Sequence, residues 1–91
     1  MKVTIASIFP PDESPRYMFG KTATDEYVVF SPLATATDFH FDLDDLVKFE
    51  KVSQGPVEAI NMTKNETIGV LIHDAGINKD IIRVRYDPQF R

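Results

Sequence analysis

Short apolar runs, interrupted about every ten residues by proline, glycine or aspartate, constrain this chain more than any other feature. Residues 2–9 (Lys-Val-Thr-Ile-Ala-Ser-Ile-Phe) put Val3, Ile5 and Phe9 on one side of a strand and Thr4 and Ala6 on the other. Pro10 and Pro11 cannot donate ladder hydrogen bonds, so a loop follows as far as Pro15. A second strand is expected from about Arg16 to Thr22, and a third over Glu26–Ser31, ended by Pro32. Residues 43–49 fit both helical spacing (Leu43, Leu46, Val47) and strand spacing (Val47, Phe49). Gly55-Pro56 follows too soon for a stable helix, so a fourth strand is expected. Val57–Met62 makes a fifth. Ile68, Val70 and Ile72 alternate, Asp74-Ala75-Gly76 turns, and Ile82, Val84 and Tyr86 alternate again, which predicts a C-terminal β-hairpin. Such spacing implies an all-β barrel or sandwich.

The 91 residues suffice for one domain, and 43% hydrophobic with 26% charged residues is the balance of a chain that folds. The absence of cysteine removes disulfides, thiolate zinc sites and cysteine nucleophiles, and fits a reducing, cytoplasmic location. The charge-free stretch Tyr27–Thr37 contains a proline and is far shorter than the about 20 residues of a spanning helix, so no membrane partner is expected. Lys2 and the apolar run after it faintly resemble a signal peptide, but Pro10-Pro11 follows without a small-residue cleavage site. A net charge of −4 disfavours salt-driven phosphate binding, while leaving room for a stacking surface with a few local cations.

Catalysis is not expected. His40 and His73 are the only histidines, neither lies in a hydrolase motif, and no glycine-rich phosphate loop is present. Asp38, His40, Asp42, Asp44 and Asp45 are rich in oxygen ligands but lack the central glycine and terminal glutamate of a calcium loop, so they read as a solvated acidic turn. His73 beside Asp74 reads as a surface pair. No metal or other cofactor is expected.

The aromatic residues carry more information. Tyr17 and Phe19 share one face of a strand and Met18 takes the other. If Met18 is core, two rings stand in solvent between Arg16 and Lys21 as a base-stacking platform. If the rings are core, Met18 lies outside. Spacing alone leaves both open.

The residues in these strands, taken in order, resemble the cold-shock domain over positions 2 to about 63. Ile8-Phe9 resembles the aromatic pair closing that family's first strand, and Arg16-Tyr17-Met18-Phe19 its first RNA-binding motif. Asp25 through Leu33 is similar to the second motif, Phe39 to the loop aromatic, and Leu43–Phe49 to the acidic turn and fourth strand. Gly55-Pro56-Val57-Glu58-Ala59-Ile60-Asn61-Met62 is similar to the closing strand. The resemblance implies a five-stranded OB-fold barrel over 1–65, with residues 66–91 as a hairpin extension packed on it. It further implies non-enzymatic binding of single-stranded RNA or DNA, with Phe9, Tyr17, Phe19, Tyr27, Phe30 and Phe39 stacking and Arg16 and Lys21 meeting phosphates.

The departures are specific. Ile8 stands where the family has a stacking tryptophan, and strand two lacks its glycines. In strand three an ungapped match exposes Tyr27 and Val29, whereas a one-residue shift buries Tyr27 and exposes Val28 and Phe30. The alternative expectation is a protein-interaction module on a barrel that no longer binds nucleic acid, its acidic surface or hairpin docking a protein or a second copy through an edge strand.

Overall fold

A computed structural model describes residues 1–11, 16–33 and 40–90. Six strands, β1 (Lys2–Phe9), β2 (Tyr17–Lys21), β3 (Tyr27–Pro32), β4 (Leu46–Phe49), β5 (Gly55–Asn61) and β6 (Glu66–Ile77), precede one short helix, α1 (Lys79–Arg85). The strands form a closed barrel in the order β1-β2-β3-β6-β5-β4, and every neighbouring pair is antiparallel. The all-β barrel is as expected, but it has six strands rather than five. No described helix is long and apolar enough to cross a membrane.

Alternation places the inner core. Val3 and Ile5 on β1, Met18 on β2, Val28 and Phe30 on β3, and Ile68, Val70 and Ile72 on β6 converge with Phe41, Val47 and Phe49. The Phe30 ring meets Phe41 and Phe49 edge-on at 5.4 and 5.1 Å. Gly20 is where the barrel wall pinches: a Cβ there would lie 2.4 Å from Val3 Cγ2, closer than any side chain tolerates. In β1 the alternation breaks at a bulge between Ile5 and Ser7. The extra residue reverses the phase, so Ile8 packs against the core and Phe9 turns outward, opposite to a strict two-residue count from Val3.

The expected C-terminal hairpin is not formed. Residues 66–77 run as one continuous strand, bonded to β5 on one side and β3 on the other, so β6 completes the barrel instead of decorating it. β6 pairs with β5 through residues 66–72 and with β3 through residues 70–77. The second arm of the expected hairpin is α1. Asn78 caps it, its Oδ1 accepting the Ile81 N–H at 3.0 Å, and Asp80 in the first turn with Arg83 and Arg85 in the last complement the helix dipole. Ile82 and Tyr86 are four apart, a helical spacing that also satisfies alternation, which is why the pattern misleads.

The acidic turn is only partly solvated. Asp42 and Asp44 are exposed, but Asp45 is buried and forms the centre of a polar network. Its Oδ2 accepts the Asp42 N–H at 2.9 Å, the Asn61 amide at 2.8 Å and the Lys64 ammonium at 3.0 Å. Asn61 also donates to the His40 carbonyl at 2.9 Å. These bonds staple residues 40–46 to the β5–β6 turn, where Asn65 takes a positive φ of 56°. Burial pushes the Asp45 carboxyl up, but the hydrogen bonds from Asn61 and the Asp42 amide, with Lys64, outweigh it and hold the carboxyl below its ordinary value.

Candidate functional site

The outer faces of β2 and β3 hold Tyr17, Phe19 and Tyr27 of the residues singled out for stacking. Phe19 pairs with Val29 and Lys21 with Tyr27, while Met18 and Phe30 pair on the inner side. Met18 is therefore core and Tyr17 and Phe19 point outward, the first of the two alternatives. The ungapped strand-three register also holds, with Tyr27 and Val29 outside and Val28 and Phe30 inside.

Outward does not mean exposed. A second apolar cluster covers this face, built of Phe19, Tyr27, Val29, Ile77, Ile82 and Phe90 with Tyr17, Ile81 and Tyr86 against it. Phe19 has no exposed surface and Tyr27 retains 2%. Phe90 meets Phe19 edge-on at 5.3 Å and Tyr27 at 5.2 Å, and Tyr86 lies 5.9 Å from Phe19. An exposed platform at Phe19 and Tyr27 is thus corrected by the segment that follows β6. Phe30 fails for a different reason: it belongs to the inner core. Arg16, expected to meet phosphates, is 94% buried, since only 6% of its surface is exposed. Phe39 lies outside the described residues.

Three of the expected residues remain accessible. Phe9 on β1, 37% exposed, sits directly opposite the half-buried Tyr17 on β2. Beyond β3 stands His73 on β6, whose ring meets Tyr17 edge-on at 5.1 Å, with Tyr86 5.2 Å from Tyr17. His73 Nε2 shares a 2.8 Å hydrogen bond with Ser31 Oγ. Burial lowers the His73 pKa against the opposing pull of Asp74, favouring a neutral ring. Lys21 stands at the other end of β2, 3.1 Å from Asp25, whose hydrogen bond and charge raise the lysine pKa. It borders a hollow of about 410 Å³ whose other cations, Lys79 and Arg83, come from α1.

His73, Tyr86 and Lys79 were not foreseen as neighbours of this face. The alternation of β6 identified His73 as outward, but the β6–β3 pairing that brings it to Tyr17 is a long-range contact with no local signal. Asp74 anchors the covering segment: it accepts from Arg85 at 2.8 Å and from the Tyr86 hydroxyl. Burial first, then the Asp74 bond, push the Tyr86 pKa well above its ordinary value. Among the described residues no group of three or more His, Cys, Asp or Glu side chains is arranged to hold a metal ion. No family model, no curated protein and no solved structure matches the chain.

Proposed function

We infer that this protein is a single-stranded nucleic-acid-binding module of the cold-shock-like OB kind, acting through the outer face of β1, β2 and β3 without enzymatic chemistry. The observation that carries the reading is the Phe9–Tyr17 cross-strand pair: two accessible rings on adjacent strands, extended sideways by His73. Successive bases stack on such a row, each contributing about 1–3 kcal/mol whatever its identity. Electrostatics contribute little, because the chain is acidic and Lys21 is already paired with Asp25. Binding is therefore expected to be modest and only weakly salt-dependent, with a log–log slope near −0.7 for each phosphate contact made.

Fluorescence anisotropy with labelled oligo-dT and oligo-U, at low and higher salt, tests the reading. Tyr17→Ala and Phe9→Ala are each expected to weaken binding by about 5- to 150-fold while the barrel stays folded. A folded protein that binds neither oligonucleotide, or variants that bind as well as the parent, would remove it.

A second reading, a protein-interaction module, is favoured by the burial of Phe19, Tyr27 and Arg16 together with the negative charge. Leu33, 56% exposed, borders a shallow hollow of about 480 Å³ with Pro56, Val57, Glu58 and Gly69, away from the aromatic row. Leu33→Asp leaves oligonucleotide binding unchanged under the first reading, and would abolish partner binding under the second if the partner docks there.

A further inference from the structure

We propose that residues 78–90 are a built-in competitor for the nucleic acid: a strap that places its own rings on the stacking face and must lift for full binding. The inference rests on the reading above and adds its regulation.

Three observations carry it. First, Tyr86 and Phe90 of the strap meet Tyr17, Phe19 and Tyr27, the outward rings of β2 and β3, so ligand and strap need the same surface. Second, the inner core is complete without the strap, every member lying between Val3 and Ile72, so lifting leaves the barrel closed. Third, the strap is suited to two discrete states. Its seven-residue helix is too short to persist undocked. Among the described residues its polar side-chain ties to the barrel run through Asp74, which receives Arg85 and Tyr86, while the Asn78 cap and the Arg83 Nε bond to the Phe90 carbonyl at 2.6 Å lie within the strap. While the strap is docked, only the Phe9–Tyr17 end of the row is open. The apparent affinity is then reduced by the fraction of molecules with the strap lifted.

The test uses the full chain and labelled oligo-dT. Ile82→Ala and Phe90→Ala each remove a buried strap side chain that belongs to no part of the inner core. Each is expected to tighten oligo-dT binding by about tenfold or more, with protection of the β1–β6 amides retained. In the unmodified chain, saturating oligo-dT is expected to speed exchange of the Ile82 and Tyr86 amides, which bond to the Asn78 and Ile82 carbonyls. This second measurement decides the matter if the variants do not fold. Binding by the parent with Ile82 and Tyr86 equally protected in the complex, and with no gain in folded variants, overturns the strap and leaves the stacking reading standing. Absence of binding by the parent and by every folded variant, with exchange reporting a lifted strap in those variants, overturns both.

Discussion

Replacing Phe19 by alanine separates a surface ring from a core ring. On an exposed platform the change removes a binding contact and leaves stability nearly untouched. Here the ring is fully buried between β2 and the strap, edge-on to Phe90 at 5.3 Å and to Tyr86 at 5.9 Å. Truncation loses the transfer free energy of a phenyl group and leaves a cavity, about 3–5 kcal/mol together. A chain of 91 residues has about 5–14 kcal/mol of total stability, so the loss is a large share of it. It is also bounded, because the variant can leave the strap undocked and forfeit only the docking free energy. Urea denaturation followed by circular dichroism is expected to give a loss of about 3 kcal/mol or more, and thermal unfolding a fall of at least about 12 °C. A loss below about 1 kcal/mol would refute the argument, since it would mean that the outer cluster contributes little as a core.

Gly20→Ala is expected to cost about 1–3 kcal/mol by pressing a methyl into Val3, and Val3→Ala in the same chain should recover part of that loss in denaturation measurements. Asn61→Ala removes one donor from the buried Asp45 carboxylate, which keeps the Asp42 amide and Lys64, and one from the His40 carbonyl, and should cost about 1–3 kcal/mol by urea titration. The Asp45 pKa is lower folded than unfolded, so its stabilisation is present above about pH 4 and lost as pH falls through the folded value; Asp45→Asn should flatten the acid limb of the stability–pH curve. His73 is also lowered from 6.5, so its contribution is present above that pH and lost as pH falls below it, and His73→Gln should reduce the slope in that window.

Much of the inner barrel was legible in the sequence. Val3, Ile5, Ile68, Val70 and Ile72 lie inside as alternation required, because a strand's two faces are set by a local period of two. The sequence left the sides of Met18 and Phe30 open, and the pairing of β2 with β3 puts both inside. Phe9 was misjudged by counting from Val3, since a bulge adds a residue without changing composition. The candidate site was legible only as a row of rings. Arg16 lies beside Tyr17 in sequence as a phosphate contact should, yet it is buried, and nothing local separates a buried arginine from a solvated one.

The sequence by itself determined that the chain is built mostly of strands and which side chains share a face within an unbroken strand, because these follow from backbone sterics and side-chain direction within a few residues. Only the tertiary structure decided what covers each face. Ile82, Val84 and Tyr86 are compatible with a strand or a helix, and a seven-residue helix has too little intrinsic stability to choose for itself. The choice was made by the apolar outer face of β2 and β3, which gains more from burying Ile82 and Phe90 than from meeting water. That long-range burial converts an expected open platform into a covered one, and it is the physical basis for the proposed competition between the chain's own rings and its ligand.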